Sequence, residues 1–100
     1  MGLVRFSSLA ESDLFEIGAY TLRTWGEVQT IRYLEELEVS CRYLADHPSA
    51  GRSCEEIRPG LYRHEQGKHV IFFRRDDAGI VVSRILHQRR LPEIHPFEES

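Results

Sequence analysis

The spacing of apolar residues changes once along this chain, and that change constrains the fold more than any other feature. Between residues 10 and 44 an apolar residue recurs at every third or fourth position, which is the period of an amphipathic helix. From residue 61 to residue 87 the apolar residues instead form short runs separated by turns that contain Gly, which is typical of strands. The sequence therefore predicts a helical half followed by a sheet half, an α+β fold.

The helical half divides into two helices at Gly26. The second helix is predicted to end near His47 and Pro48, because the residue before a proline avoids helical angles. Since one or two residues join the helices, they must fold back as an antiparallel hairpin. The predicted stripes are Ala10, Leu14, Ile17, Thr21 and Thr24 or Trp25 in the first helix, and Val28, Ile31, Leu34, Leu37, Cys41 and Leu44 in the second.

Polar residues at the start of the first helix predict where it begins. Ser8 followed three residues later by Glu11 has the form of a capping box. Asp13 and Glu16 come next, in the opening turns, where negative charge suits the helix dipole.

The sheet half predicts three strands over residues 61–65, 69–75 and 80–87, joined by short turns as an antiparallel meander. Leu3–Phe6 adds a short edge strand before the helices, so the predicted order is β-α-α-β-β-β, with the helical hairpin on one face of the sheet. Residues 70–73 and 80–82 are apolar on both faces. Either the chain covers both faces itself, or apolar surface awaits a partner. We expect one domain over residues 1–100, which includes a short acidic tail at 96–100.

Charge is unevenly distributed along the chain. The net charge is −3, yet the 13 basic residues comprise 12 Arg and one Lys. Residues 1–50 carry a net of −4, whereas residues 57–90 carry +5. Because guanidinium forks match carboxylate or phosphate oxygens in pairs, an Arg-rich surface suits an acidic partner. The competing interpretation is a composition bias with ordinary solvated charges.

Several classes of protein are not indicated. No stretch approaches the ~20 apolar residues of a membrane helix, and the first residues lack a signal peptide's apolar run, so we expect a cytoplasmic protein. A disulfide between Cys41 and Cys54 is not expected there; Cys41 lies on an apolar stripe, and Cys54 lies in a polar loop. Neither a metal-ligand set nor a phosphate-binding glycine loop is present, so we expect no metal and no cofactor.

A metal-free ribonuclease remains an open hypothesis. Such chemistry needs cations and an acid–base pair, and Arg63, Arg84 and His87 lie on predicted strands that could converge, with Tyr62 nearby. The alternative is a basic sheet surface whose histidine packs against the edge of a helix.

Blocks of residues over about 3–95 resemble ParE-type toxins of the RelE/ParE superfamily. In the first half the similarity lies in Ala10-x-x-Asp13-Leu14-x-x-Ile17-x-x-Tyr20, followed by Trp25-Gly26. In the second half it lies in Gly67-Lys68-His69-Val70-Ile71-Phe72-Phe73-Arg74 and in Arg84-Ile85-Leu86-His87. The β-α-α-β-β-β order is also that of this superfamily.

The resemblance implies a bacterial type II toxin that inhibits DNA gyrase by binding and is not itself a hydrolase. It implies a ParD-like antitoxin that lies across the toxin in a hetero-oligomer. When the complex represses its operon, DNA contact is expected only through the antitoxin, and the net charge of −3 agrees with a toxin that does not bind the operator itself. The candidate target contacts are Arg84, His87, Arg89 and Arg90. The candidate antitoxin contacts are Leu14, Ile17, Tyr20, Leu34, Leu37, Arg58, Arg63, Arg74 and Arg75.

The RelE branch of the superfamily supplies the alternative function, cleavage of mRNA on the ribosome. Those relatives commonly use a Tyr near the C-terminus, whereas here Tyr62 is the last tyrosine. His87 is the position shared with some nuclease relatives, and it keeps this alternative open.

Overall fold

The computed structural model describes residues 2–90, and they form two helices packed on a five-stranded sheet, which confirms the predicted α+β class. The predicted acidic tail at 96–100 lies outside the described residues. The elements are β1 (Leu3–Phe6), α1 (Ser8–Trp25), α2 (Glu27–Asp46), β2 (Arg52–Ser53), β3 (Tyr62–Gln66), β4 (His69–Asp76) and β5 (Gly79–His87).

The sheet has the strand order β1-β5-β4-β3-β2. Strands β3, β4 and β5 form the predicted antiparallel meander. Strand β1 pairs with β5 in parallel, from Leu3 opposite Gly79 to Phe6 opposite Val82, so the sheet is mixed. A parallel pair needs a long crossover, which the helical hairpin and the strands after it provide. At the other edge, β2 pairs with β3 inside a stretch predicted as loop. Two polar, exposed residues carry no alternating pattern that could have predicted it.

The two helices begin and meet at small residues. The N-cap of α1 is Ser7, one residue before the predicted cap: its hydroxyl accepts from the Ala10 amide at 3.0 Å and donates to the Ser83 carbonyl at 2.8 Å. This second bond joins the cap to β5, which explains why Ser7 is preferred over its neighbour. Gly26 ends α1 and begins α2 with a φ of 89°, a conformation that glycine adopts without steric cost.

Both faces of the sheet are covered by the chain itself. Toward the helices, the core contains the predicted Cys41 together with Ile17, Leu37, Phe73 and Ile85. On the opposite face a second cluster consists of Cys54, Leu61, Val70, Phe72 and Leu86, with Ile57 packed against it. The loop between β2 and β3 therefore covers the strands that are apolar on both sides. Cys54 is fully buried in this cluster, and both cysteines are free.

The tip of the helical hairpin extends beyond this core. Trp25 is 69% exposed, Val28 74% and Ile31 52%. The predicted α2 stripe is correct only from Leu34 onward, because the first turns of α2 have no sheet beneath them to pack against. Apolar surface is thus exposed at the tip of the hairpin.

Many of the arginines serve the fold instead of facing outward. Arg75 donates to the carbonyls of Leu44, His47 and Ala50 at 2.6–3.0 Å, around the end of α2. Its guanidinium also lies 5.2 Å from the centre of the Phe73 ring. The interpretation of the Arg-rich sheet as a partner surface is therefore wrong for this residue. Elsewhere Arg74 donates to the Pro59 carbonyl, Arg5 pairs with Asp76, and Arg52 and Arg63 share Glu65.

We expect Arg75→Ala to lower the free energy of unfolding by about 2 kcal/mol, because it leaves three backbone carbonyls without their charged donor. Arg42→Ala is the matched control: it removes an exposed pair with Glu38 one helical turn away and should cost about 0.5 kcal/mol or less. Urea unfolding of both variants measures the difference. Equal losses would show that the carbonyl contacts of Arg75 contribute no special stability.

Candidate functional site

A buried ion pair joins α1 to β5. Asp13 accepts from Arg84 Nε and from an Arg84 terminal nitrogen, each at 2.8 Å, and from the Ile85 amide at 2.9 Å. Both side chains are less than a tenth exposed. The sequence placed Asp13 in the opening turns of α1 without indicating this pairing: the carboxylate points into the interface and neutralises an arginine of the sheet.

The same part of β5 interrupts the alternation of the strand. Arg84 lies opposite Phe72 while Val82 lies opposite Phe73, which leaves Ser83 without a register partner. Val82 and Ile85 both pack in the helix-facing core although they are three residues apart. A bulge of this kind re-aims the side chains that follow it, so simple alternation cannot assign faces across β5.

His69 contacts both His87 and Tyr33 at the end of the sheet where β4 begins and β5 ends. His69 and His87 are register partners whose rings meet edge to face, with centres 5.4 Å apart. Tyr33 of α2 places its hydroxyl 2.5 Å from His69 Nδ1. Burial and the neighbouring His87 lower the pKa of His69 to about 4. Burial raises the pKa of Tyr33. His69 is therefore neutral near pH 7, and its Nδ1 is hydrogen-bonded to the Tyr33 hydroxyl, which also donates to the Gln66 carbonyl at 3.3 Å.

The chain leaving β5 is held against the β3–β4 turn. The Gln88 amide donates to the Lys68 carbonyl at 2.8 Å. The Arg89 amide reaches His87 Nδ1 at 3.2 Å, and the Arg90 amide donates to the His87 carbonyl at 2.9 Å. Lys68, Arg89 and Arg90, all exposed, are thereby gathered at one end of the sheet; we call them the cationic corner.

A groove of about 860 Å³ lies between the cationic corner and the helical hairpin. Its lining includes the exposed aromatic residues Phe15, Tyr20 and Trp25 of α1, and Tyr33, His69 and His87 also line it. The arrangement combines cations with aromatic surface, and it suits binding of an anionic partner.

The predicted catalytic residues do not converge. Arg84 is committed to Asp13. Arg63 lies opposite Phe72, with its guanidinium 5.8 Å from that ring's centre, on the sheet face away from the helices, and it bonds to Glu65. His87 contacts His69 instead, two residues along β5 from the helix-facing Ile85. The prediction of Arg84 as a target contact is likewise corrected, because its side chain is buried, whereas Arg89 and Arg90 are exposed.

The predicted antitoxin contacts separate into buried and accessible residues. Ile17 and Leu37 are 8% and 1% exposed and belong to the core, which corrects both predictions. Leu14 and Leu34 are half-buried and line a shallow apolar depression of about 440 Å³. That depression also includes Phe6, Phe15, Leu37 and Cys41, and two carboxylates, Glu35 and Glu38, stand in its lining.

The remaining predicted contacts lie outside that depression. Tyr20 is exposed in the groove beside the cationic corner. Three of the arginines, Arg58, Arg63 and Arg74, are half-buried on the sheet side. The fourth, Arg75, donates its hydrogen bonds to backbone carbonyls at the end of α2.

Sequence reasoning missed Lys68, His69 and Tyr33 as parts of the site. Lys68 is the only lysine of the chain and lies in a predicted turn, so its exposure could have been predicted. Nothing in the neighbouring sequence indicates that residues 89 and 90 lie close to it. Over residues 2–90 no group of three or more His, Cys, Asp or Glu side chains could hold a metal ion. Within the same range no helix is both long and apolar enough to cross a bilayer.

The described residues form a small α+β protein in which a helical hairpin covers one face of a mixed five-stranded sheet and exposed cations lie together at one end of that sheet. The fold matches a solved structure titled "Chromosomal ParDE TA system from P. aeruginosa" with a TM-score of 0.72 and 21% identity, covering 87% of this chain and 96% of that one. A family model described as "ParE toxin of type II toxin-antitoxin system, parDE" matches residues 4–92. The chain belongs to this ParE toxin family of type II toxin–antitoxin systems.

Curated relatives agree with this assignment. Toxin ParE1 of Mycobacterium tuberculosis is 40% identical over 84 residues, which cover 83% of this chain and 86% of the relative. Toxin ParE1 of Caulobacter vibrioides is 34% identical over 91 residues, covering 91% and 94%. Toxin ParE of Escherichia coli is 35% identical over 82 residues, covering 80% and 79%.

We expect Asp13→Ala to lower the free energy of unfolding by about 3–5 kcal/mol, because it leaves the Arg84 charge buried and unpaired. The double variant Asp13→Leu/Arg84→Met should be more stable than Asp13→Ala, since it removes both charges and keeps the volume filled. Glu16→Ala, on the exposed side of α1, serves as the control and should cost about 0.5 kcal/mol or less. If the losses of Asp13→Leu and Arg84→Met add up to that of the double variant in a urea-unfolding cycle, the pair is not coupled.

Stability should fall as the pH drops from about 7 to 4. The pKa of His69 is about 4 in the folded chain, below its ordinary 6.5, so the unfolded chain takes up this proton first. Because solvent screens a half-buried ring, we expect the loss to be about 1–2 kcal/mol rather than the full value of the shift. His69→Gln, which keeps a hydrogen-bonding group beside Tyr33 and does not titrate, should remove that part of the slope.

Urea unfolding of the two proteins at pH 7 and pH 5 tests this. The Arg5 hydrogen bond lowers the pKa of Asp76 to about 2. The stability that this carboxylate contributes is therefore lost only below about pH 4, outside the range from pH 7 to pH 5 that the experiment compares. Equal losses in wild type and His69→Gln would contradict the assignment to His69.

Proposed function

We propose that this toxin inhibits DNA gyrase by binding, and so blocks replication, without hydrolysing a substrate itself. Membership of the ParE family supports gyrase as the target. The choice of binding over catalysis is carried by one observation, the burial of Arg84 against Asp13, which takes the central cation out of the predicted catalytic set. The proposed functional unit is the single domain predicted over residues 1–100, acting in the cytoplasm.

Arg89 and Arg90 are the proposed contacts with the target. Both are exposed in the turn after β5, and their amides bond to His87. His87 is consequently a positioning residue in this proposal: its ring and carbonyl hold the turn, while the guanidiniums meet the target. Planar guanidinium forks suit carboxylates on a protein surface, and the contact should weaken as salt rises.

The proposed antitoxin is ParD-like and lies across the helical hairpin. The depression around Leu14, Phe15 and Leu34 supplies an apolar seat. Glu35 and Glu38 in its lining favour an antitoxin segment that places basic side chains beside apolar anchors, as an amphipathic helix does. A second, acidic part of the antitoxin could reach the half-buried Arg58, Arg63 and Arg74 on the sheet side. In the resulting hetero-oligomer, operator DNA would be bound by the antitoxin.

We expect purified toxin to inhibit gyrase supercoiling and to increase the amount of cleaved DNA. The Arg89→Ala/Arg90→Ala variant should inhibit at least tenfold less well, because it removes both proposed contacts while leaving the fold intact. Arg32→Ala, an exposed arginine on α2 outside the groove, is the matched control and should inhibit like the wild type. Antitoxin binding by all three proteins confirms that they are folded.

The ribonuclease alternative makes the opposite set of predictions. Cleavage of mRNA in a translating extract, with no effect on supercoiling, would replace gyrase inhibition by the RelE-type activity. In that case His87→Ala should abolish toxicity and leave antitoxin binding intact. If His87→Ala instead weakens gyrase inhibition, and by no more than the Arg89→Ala/Arg90→Ala variant does, the role of His87 is to position those two arginines.

A further inference from the structure

The groove beside the cationic corner has a local charge opposite to that of the whole protein. Among its described lining residues, Arg23, Lys68, Arg89 and Arg90 supply cations. Asp13 is neutralised by Arg84, which leaves Glu16 as the other carboxylate of that lining. His69 adds no charge near pH 7, because its pKa is about 4.

The net charge of −3 does not cancel this local field. Its acidic excess lies in the helical half, where Glu35, Glu36 and Glu38 are exposed on α2 and do not line the groove. Of the three, Glu36 is close enough for its charge to act on Tyr33 in the groove lining, whereas exposed charges farther away are screened beyond about 8 Å at physiological salt. The four lining cations outnumber Glu16 and Glu36, so the groove keeps a net positive charge.

Aromatic rings stand exposed along the same groove. Phe15 is 78% exposed, Tyr20 59% and Trp25 69%. All three belong to α1 and line the groove. Cations beside exposed aromatic rings are the combination by which proteins bind single-stranded nucleic acid, with phosphates on the cations and bases stacked on the rings.

We propose that this groove binds a short single-stranded nucleic acid without cleaving it. Lys68, Arg89 and Arg90 contact phosphates, and Tyr20 and Trp25 stack on bases. An acidic peptide would satisfy the cations but leave the rings unused. A duplex would keep its bases stacked inside the helix, away from the rings. The site is distinct from operator binding by an antitoxin, and it stands whether or not gyrase is the target.

Trp25 is the only tryptophan of the chain and lies in the groove, so its fluorescence reports binding directly. Titration of the purified toxin with a 12-nucleotide oligodeoxythymidylate or oligouridylate at low salt should quench it. The two probes distinguish DNA from RNA as the source of the ligand, because a contact with the 2′-hydroxyl would favour oligouridylate. Intact probe recovered after the titration confirms binding without cleavage.

Variants separate phosphate contacts from stacking. Arg89→Ala/Arg90→Ala should weaken binding at least tenfold and reduce the slope of log K against log salt by about 1.4, the value for two contacts with a single strand. Tyr20→Ala should weaken binding about five- to tenfold through lost stacking, measured by anisotropy of a labelled probe. Arg32→Ala, outside the groove, should bind as the wild type does.

Three results would overturn the proposal. One is the absence of Trp25 quenching by either oligonucleotide. Another is equal quenching by inorganic polyphosphate or by polyglutamate, which would show a charge effect without base stacking. The third is unchanged affinity of Tyr20→Ala and of the double arginine variant, which would place the ligand outside the groove.

Discussion

The buried pair between Asp13 and Arg84 is the interaction on which the rest of the structure depends. One carboxylate accepts three hydrogen bonds, two from a guanidinium fork and one from the Ile85 amide, and so joins the first helix to the last strand at a single point. Because neither partner could remain buried without the other, the position of α1 over β5 is specified by chemistry as well as by packing. The groove and the cationic corner lie between elements that this contact holds in place.

The arginines of the chain divide their work between the fold and the surface. Two arginines, Arg74 and Arg75, donate to backbone carbonyls. Two others, Arg5 and Arg84, pair with aspartates. The planar guanidinium group suits these contacts better than a lysine ammonium group would. Lys68, Arg89 and Arg90 instead face outward together at one end of the sheet. These exposed cations lie together although the protein as a whole carries a net charge of −3.

Sequence reasoning succeeded where the signal is local and failed where it is not. Two helices broken at Gly26 and three strands joined by short turns follow from periodicity and turn chemistry, and the structure confirms them. The burial of Cys54, the exposure of Val28 and the burial of Asp13 each depend on which segment happens to lie opposite. The bulge at Ser83 has the same origin, since the register shift is a property of the β4–β5 pair and not of either strand.

The sequence by itself determined the elements, their order and the family, because helix period, strand runs and recurring residue blocks are written along the chain. Only the tertiary structure decided which charges are available to a partner. Arg84 and Arg89 are five residues apart and chemically identical, yet one is enclosed beside Asp13 and the other faces solvent. The physical reason is that the environment of a charge is set by residues distant in sequence: Asp13 lies 71 positions from Arg84. A pattern of neighbouring residues cannot indicate a contact across so many positions.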